Sequence, residues 1–375
     1  MIYLDNAATS WPKPEEVYSR SDQLLRRAAN PGRGGHRFSR QSAEAVLVAR
    51  EAVASFFSVP DARQIIFTSG ATQALNAVIL GLQGVKRIVS TGAEHNAVWR
   101  PLEFLSQQRG VMVEYVETGD SLEALEAALM HPAELVVVTH ASNVTGKIYP
   151  LQEIVARAHA AGALVLADVS QSAGVLPLNL VEIDLDFAAF PGHKGLLGPP
   201  GIGGLYIKPG LELSPLVLGG TGSNSHDAEL PAALPDRYES GTVNLPGIAG
   251  MAAGVGYLQK YGLGKVLAHE CMLRLRAAEA LGQLGAEVYL MEGETVGVLS
   301  FNLPGVDSGD VAGILDEVYD IAVRGGLHCS PRSHDVLGTS DQGTVRISPG
   351  IFNKPEEIDQ LVAAVSEIVD QGRRY

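Results

Sequence analysis

The sequence is poor in cysteine, in basic residues and in long apolar runs. Only Cys271 and Cys329 are cysteines among 375 residues, too few for a disulfide framework, which favours a reducing, cytoplasmic setting. The net charge of −14 leaves no basic field to attract nucleic acid. The longest apolar runs, such as LVVV at 135–138, are far too short to cross a bilayer. The opening MIYLDNAATS lacks the basic and then apolar segment of a leader, so we expect no membrane partner.

Apolar residues, at 46% of the chain against 19% charged residues, are sufficient for a substantial core. Short apolar runs that alternate with helical patterns predict strands at 64–68, 87–90, 111–116, 135–140, 163–168, 187–190 and 204–207, and helices at 71–81, 122–130 and 150–161. Continuous rather than alternating apolar strands indicate a mostly parallel sheet covered by helices on both faces, hence an α/β fold. The strand at 204–207 is open to an antiparallel interpretation, at an edge or within a hairpin.

The composition and the pattern of predicted elements change after Gly241. An Ala- and Leu-rich stretch predicts helix from 245 to 284 with a break at 261–264, followed by strands at 296–303 and 344–348 and a helix at 355–369. We expect a large domain at 16–250 and a smaller α+β domain at 251–375 joined by residues 1–15. Glycine- and proline-rich segments at 191–204 and 215–224 predict tight turns or a ligand close to the backbone.

Three signals suggest chemistry, although each has a more ordinary interpretation. TSGATQA at 68–74 follows a strand and opens a helix, where free N–H groups can seat a phosphate, but such βα turns are common. Asp168 ends an apolar strand, where ligands bind in open α/β sheets, but an acid there can also cap a helix. Lys194, between glycines after another strand, is placed for desolvation that lowers its pKa, although most lysines are surface charges.

Together the three signals match what pyridoxal phosphate requires. The phosphate needs N–H donors, the pyridine nitrogen needs an anion to stay protonated, and the aldehyde needs an amine. The sequence therefore predicts a pyridoxal-phosphate site built from the 68–74 turn, Asp168 and Lys194.

The chain resembles the class V aminotransferase family of pyridoxal-phosphate enzymes, specifically cysteine desulfurases of the SufS-like branch with a short catalytic-cysteine loop. The resemblance covers essentially the whole chain and rests on ten ordered motifs: YLDNAAT at 3–9, NPGRGGH at 30–36, GAT at 70–72, EHNA at 94–97, SNVTG at 142–146, DVSQ at 168–171, GHKG at 192–195, SGT at 240–242, RGGLHC at 324–329 and VRIS at 345–348. It implies the fold type I transferase architecture, with the catalytic cysteine in the smaller domain.

The resemblance also implies a role for each cofactor-binding residue. Lys194 should hold the cofactor aldehyde and move the Cα proton, Asp168 should pair with the pyridinium nitrogen, and Gln171 should hydrogen-bond the phenolic oxygen. His95, otherwise a satisfied core histidine, should stack on the ring and take part in catalysis. The phosphate should be bound by Ala71, Thr72 and His193, and by Thr242 of the neighbouring subunit, which implies a homodimer with shared sites.

The implied substrate ligands are Asn143, Arg346, Asn6 and Arg324. Arg346 should hold the substrate carboxylate by a bidentate contact, with a structural salt bridge as its alternative role. Cys329 lies in a glycine-bearing loop where Arg324 and His328 are placed to favour the thiolate, whereas Cys271 lies in a helical pattern typical of a buried, inert thiol. A zinc site at His328, Cys329 and His334 lacks paired-ligand spacing, so we expect no metal.

By this resemblance L-cysteine is the substrate, and the Cys329 thiolate takes its sulfur as a persulfide while L-alanine is released. The sulfur then passes to an acceptor protein for iron–sulfur cluster or thio-cofactor synthesis. One departure concerns Leu327, which stands where the SufS-like pattern often has a second histidine before the cysteine. A proton-transfer role therefore does not carry over to that position.

The alternatives within the family are a selenocysteine lyase, another C–S lyase or a true aminotransferase, in which the loop cysteine would have no task. A nucleotide-binding regulator is the alternative from another class. Its nearest motif, GPPGIGG at 198–204, does not match the dinucleotide fingerprint G-x-G-x-x-G opening a helix.

Overall fold

A computed structural model describes residues 1–31, 34–117, 122–222 and 226–372 of the chain. Gly32 and Arg33 of the NPGRGGH motif, and Ser223 and Asn224 of the second glycine-rich segment, lie outside the described residues.

The strands in the described ranges are β1 (Ile2–Tyr3), β2 (Ile65–Thr68), β3 (Arg87–Thr91), β4 (Met112–Val116), β5 (Leu135–Thr139), β6 (Leu164–Asp168), β7 (Phe187–Pro191), β8 (Gly203–Ile207), β9 (Glu287–Val288), β10 (Leu299–Asn302), β11 (Ile321–Ala322) and β12 (Val345–Ile347). The seven strands predicted before residue 210 are confirmed, each within one residue of its predicted ends. Strands β10 and β12 lie within the predicted ranges 296–303 and 344–348 but are shorter than predicted.

The helices are α1 (Glu15–Arg27), α2 (Arg37–Phe56), α3 (Ala71–Gly81), α4 (Asn96–Arg109), α5 (Glu123–Leu129), α6 (Leu151–Ala160), α7 (Leu245–Tyr261), α8 (Leu263–Gln283), α9 (Ser308–Tyr319), α10 (Pro331–Leu337) and α11 (Pro355–Gly372). The predicted break at 261–264 is confirmed, because Gly262, at φ +95°, ends α7. Within the described ranges, no helix combines the length and apolar character needed to cross a membrane.

Seven strands form one sheet in the order β2-β8-β7-β6-β5-β3-β4. The strands from β3 to β7 pair in parallel, for example Val136 of β5 opposite Val165 of β6. Strand β8 pairs antiparallel with both β7 and β2, so it lies inside the sheet and not at its edge. The structure thus decides the direction of this strand. The sequence could not, because pairing between β8 and the distant β2 leaves no local pattern.

Helices cover both faces of this sheet. Along β5, Val136 and Val138 pack into one apolar cluster with α2 and α5 to α7, whereas Leu135 and Val137 pack into a second cluster with α3 and α4. Burial of one such side chain stabilises a fold by about 1.5–3 kcal/mol. The mostly parallel α/β sheet between helical layers is thereby confirmed.

A third apolar cluster joins the start of the chain to residues between 273 and 368. Leu4 packs there with Leu273 of α8, Phe301 of β10 and Leu361 of α11. Strand β1 pairs in parallel with β11, and β12, β10 and β9 form a small antiparallel sheet. Helix α7 spans position 250, the predicted end of the large domain, and packs with the first apolar cluster. The predicted domain boundary stays a prediction.

The carboxyl ends of β2, β3, β5, β6 and β7 meet at one edge of the large sheet, since β2 is parallel to the others. Segments carrying the predicted site motifs follow each of these strands directly. The fold therefore brings those motifs to the place where open α/β sheets bind ligands.

Candidate active site

A cavity of about 330 Å³ opens at this edge of the sheet. Ten of the predicted site residues line it: Ala71, Thr72, His95, Asn143, Asp168, Gln171, His193, Lys194, Arg324 and Arg346. Asn6, Thr242 and Cys329 are not among its lining residues. The structure therefore assembles most of the predicted site around one space, with the thiol just outside its wall.

Lys194 follows β7 and faces this cavity. Burial lowers the pKa of its amine to about 8, and the guanidinium groups of Arg346 and Arg324 act in the same direction against the carboxylate of Asp168. The predicted lowering of this pKa is confirmed. A substantial fraction of such an amine is neutral, and hence nucleophilic, near pH 8.

Asp168 is the last residue of β6 and is 4% exposed. Its Oδ1 accepts the backbone N–H of Ser170 at 2.9 Å, which fixes the plane of the carboxylate. The residues after it form a turn rather than a helix, so the helix-cap interpretation is wrong. An anion at the end of a buried strand beside a ligand-sized cavity matches the partner that a protonated pyridine ring needs.

His95 is the N-cap of α4, and its Nδ1 accepts the N–H of Ala97 at 3.0 Å. Burial lowers the pKa of this imidazole to about 4, and nearby Lys194 lowers it further. The ring is therefore neutral at physiological pH, with its proton on Nε2. A neutral, oriented ring in the cavity wall fits the predicted stacking role, which stays a prediction.

Two features offer places for an anion. Helix α3 begins at Ala71 after Gly70, at φ +154°, and no side chain of the described ranges caps its first N–H groups. His193 Nδ1 is buried without a hydrogen-bond partner among the described residues. Burial lowers the pKa of His193 to about 4, so its ring is neutral and able to donate one hydrogen bond. Uncapped N–H groups and an unpaired imidazole at one cavity fit a phosphate.

Gln171 lines the cavity while its Nε2 donates to the carbonyl of Ala7 at 3.1 Å. Asn6 is placed differently: its Nδ2 donates to the Ser348 carbonyl and its Oδ1 accepts the N–H of Trp11. Asn6 lines a smaller neighbouring cavity of about 50 Å³. Thr242 is exposed on the surface of the single chain. Asn6 shares that smaller cavity with Gln171 and Lys194, whereas Thr242 of the single chain lines neither cavity.

Arg346, on β12, is 1% exposed. Its Nη2 pairs with Asp5 Oδ1 at 2.6 Å and its Nη1 donates to the Asn143 carbonyl at 3.0 Å. Its Nε is buried and finds no acceptor in the part of the chain described. The structural salt bridge is confirmed, and one unpaired donor in a residue of the cavity wall is compatible with the predicted carboxylate contact, which stays a prediction.

Cys329 is half-buried, and Arg324 Nη2 donates to its sulfur at 3.2 Å. The guanidinium of Arg324 therefore lies directly at the thiol, and the expected preference for the thiolate stays a prediction. The same expectation for His328 is wrong. His328 is buried, hydrogen-bonds Thr344 Oγ1 through Nε2, and has its pKa lowered by burial to about 2, so it is uncharged.

Cys271, in α8, is half-buried and not fully buried as predicted. Its thiol donates to the Thr295 carbonyl at 3.1 Å, and burial raises its pKa. A protonated thiol occupied in this way is a poor nucleophile. Across the described ranges, no three His, Cys, Asp or Glu side chains come close enough together to hold a metal ion.

The sequence analysis missed the residues that hold the site in place. The carbonyl of His193, directly before Lys194, accepts hydrogen bonds from the Ser10 N–H and from the side chains of Thr9, Ser10 and Lys13. The motif YLDNAAT marked this segment in the sequence. Sequence spacing alone, however, did not predict that the segment contacts the residue before Lys194.

Glu94, beside His95, is a fully buried carboxyl that the sequence analysis also missed. Its Oε1 accepts the N–H of Thr139 at 2.9 Å and contacts Thr91 Oγ1, whereas Oε2 has no partner in the described residues. Burial raises its pKa to about 8, and nearby Asp168 acts in the same direction. Glu94 is therefore protonated in the folded protein at neutral pH.

Glu94→Gln is expected to stabilise the protein at pH 7 by about 3 kcal/mol. The unfolded chain ionises this carboxyl above its ordinary pKa of 4.5, whereas the folded chain keeps the proton up to about pH 8. The free energy of unfolding therefore falls as pH rises between these values, and an amide removes that loss. Urea unfolding at pH 5 and pH 7 measures it: the gain should be small at pH 5. Glu123→Gln, at an exposed position, is the control, and an equal gain at both pH values would contradict the buried-acid argument.

Comparison with known proteins gives consistent relatives. The profile of the family described as Aminotransferase class-V matches residues 2–361. The chain is 35% identical to a probable cysteine desulfurase of Pyrococcus abyssi over 100% of this chain and 95% of that protein, and 33% identical to a cysteine desulfurase of Haloferax volcanii over 97% and 88%.

Solved structures agree with these sequence relatives. The apo cysteine desulfurase of Thermococcus onnurineus superposes with a TM-score of 0.91 at 34% identity, covering 99% of this chain and 95% of that one. The cysteine desulfurase CsdA of Escherichia coli, in an S-sulfonic acid form, gives a TM-score of 0.87 at 30% identity, covering 98% and 94%.

Proposed function

Because the chain belongs to the class V aminotransferase family, we propose that it is a pyridoxal-phosphate-dependent cysteine desulfurase, converting L-cysteine to L-alanine. One observation carries the proposal: Lys194, an amine of lowered pKa, and the buried carboxylate of Asp168 line one cavity, and Arg324 in the same wall contacts the Cys329 thiol. The relatives named cysteine desulfurase support the same assignment.

The cavity residues fit the cofactor by their chemistry. The uncapped N–H groups at the start of α3, Thr72 and His193 would hold its phosphate, and Asp168 would hold its pyridinium nitrogen. Gln171 would face the phenolic oxygen, and His95 would lie against the ring. When bound, pyridoxal phosphate supplies an electron sink for the substrate Cα.

In the proposed reaction Lys194 anchors the cofactor and takes the Cα proton of the substrate. Arg346 and Asn143 orient the substrate carboxylate. Cys329, whose sulfur Arg324 contacts, attacks the substrate sulfur as a thiolate. A sulfur–sulfur bond forms as the Cβ–S bond breaks, so that the enzyme thiol is oxidised to a persulfide and Cβ is reduced to the methyl group of alanine. Cysteine and enzyme thiol thus yield alanine and enzyme persulfide, with all atoms accounted for.

We further propose that the persulfide sulfur passes to an acceptor protein for iron–sulfur cluster assembly in the cytoplasm. We also propose a homodimer in which Thr242 completes the phosphate site of the neighbouring subunit. The exposure of Thr242 on the single chain is compatible with that role.

Incubation of the holoenzyme with L-cysteine tests the proposed function. We expect equimolar alanine and transferable sulfur, with one added sulfur atom on the peptide that contains Cys329. A parallel incubation with pyruvate should give no amino-group exchange. Pyruvate-dependent exchange without sulfur release would indicate an aminotransferase instead.

A further inference from the structure

The turn that carries Cys329 is bound by Asn143, which follows β5, and by Asn96, at the start of α4. His328 and Cys329 both have positive φ, at +51° and +59°, a backbone region that residues other than glycine rarely adopt. Two such residues in succession persist only where surrounding contacts fix them. The contacts that fix this turn therefore determine where the thiol points.

Asn143, which follows β5, contacts this turn with both ends of its side-chain amide. Its Nδ2 donates to the His328 carbonyl at 2.7 Å, and its Oδ1 accepts the hydroxyl of Ser330 at 2.7 Å. A carbonyl can only accept, so the His328 carbonyl fixes which end of the amide is nitrogen. Ser330 is fully buried, and it occupies the oxygen end.

A third contact lies between these two. The backbone N–H of Asn96, at the start of α4, donates to the Cys329 carbonyl at 2.7 Å. Three consecutive residues, 328 to 330, are thus bound by segments that follow β3 and β5. Two of the three are bound by the side-chain amide of Asn143. Short, buried hydrogen bonds of this kind restrict orientation strongly because water cannot replace them.

We propose that Asn143 and Ser330 form an amide clamp that positions the Cys329 sulfur for attack. Ser330 is a positioning residue: it orients the Asn143 side-chain amide, which in turn holds the carbonyl of His328, the residue before the reacting cysteine. The inference rests on the proposed function and adds to it that Asn143 serves the thiol as well as the substrate. A misplacement of about 1 Å at a reacting atom can slow a reaction by roughly 100-fold.

Ser330→Ala in the holoenzyme tests the clamp, with Ser333→Ala as the matched control. Ser333 is a buried serine on the adjoining α10, and its hydroxyl has no hydrogen-bond partner in the described residues. We expect Ser330→Ala to slow single-turnover persulfide formation on Cys329 roughly ten-fold, equivalent to about 1.4 kcal/mol. Solvent-deuterium exchange at Cα of bound L-alanine, which needs Lys194 but no thiol, should stay within about two-fold. Ser333→Ala should change neither rate.

A second measurement separates the clamp from the proposed function. Because the Asn96 amide bonds the Cys329 carbonyl, its hydrogen exchange should accelerate about ten-fold in Ser330→Ala and not in Ser333→Ala. If the wild-type enzyme forms no persulfide, the proposed function fails, and hydrogen exchange at the Asn96 backbone amide alone tests the clamp. Unchanged Asn96 exchange together with wild-type persulfide formation, or equal losses in both serine variants, would overturn the clamp.

Asn143→Asp provides a second variant if Ser330→Ala does not fold. It keeps the side-chain volume but replaces the donor to the His328 carbonyl with an oxygen. Persulfide formation should fall at least ten-fold more than Cα exchange measured at saturating alanine. If the two rates fall equally, Asn143 acts on the substrate alone and the clamp is refuted.

Discussion

Cys329→Ala should reduce the conversion of L-cysteine to L-alanine roughly 1,000-fold or more. The substrate sulfur would have no thiolate to accept it, since the half-buried Cys271 is protonated and occupied by the Thr295 carbonyl. Cofactor binding should persist, because Cys329 is not among the residues that line the cavity. Amino-acid analysis of alanine, together with the cofactor absorbance, measures both effects.

The matched control for this prediction is Cys271→Ala, which removes the other thiol of the chain and should retain activity within about two-fold. Deuterium exchange at Cα of L-alanine should also survive in Cys329→Ala, because that step depends on Lys194. Alanine formation from cysteine at the original rate in Cys329→Ala would show that the role assigned to this thiol is wrong.

Lys194→Ala should remove both the anchored cofactor and all chemistry at Cα, with a loss of roughly 10⁴-fold or more in turnover. No other amine lines the cavity among the described residues, so nothing there replaces the group that holds the aldehyde and moves the proton. Borohydride reduction followed by peptide mass analysis should find the cofactor on residue 194 in the wild-type protein and nowhere in the variant.

Lys260→Ala, at an exposed position near the end of α7, is the control for loss of a lysine in general. It should keep the absorbance, the adduct on Lys194 and the activity. A reduced adduct on a different lysine of the wild-type protein would refute the assignment of Lys194.

The large sheet could be predicted because strands such as β2, β5 and β6 are nearly continuous apolar runs of four or five residues, buried on both faces. Each such run is a local signal, and the carboxyl ends of parallel strands meet wherever the chain order places them. The convergence of Asp168 and Lys194 followed from that rule. The direction of strand β8 could not be predicted, because its pairing with β2 depends on residues far away in the chain. Helix α4 was not predicted, since Pro101 within it is typical of a helix boundary.

Within the site, residue types were predictable but their partners were not. Arg346 pairs with Asp5, 341 positions away in the sequence, and Asn143 pairs with Ser330, 187 positions away. Sequence spacing carries no information on such contacts. His328 shows the same limit, because a glycine-bearing loop suggests exposure, whereas two residues at positive φ turn its ring into the interior.

The pairing of the first strand with residues near the end of the chain has a consequence for biosynthesis. Ile2 meets Ile321 across β1 and β11, and Leu4 packs with residues of α8 to α11. At ribosomal rates of about 5–20 residues per second, the nascent amino terminus waits on the order of tens of seconds for its partners. The large sheet is complete by Ile207 and can form while translation continues. The part of the chain that contains Cys329 is therefore the last to fold, so a chain interrupted late in synthesis carries Lys194 on a formed sheet but no folded turn around Cys329.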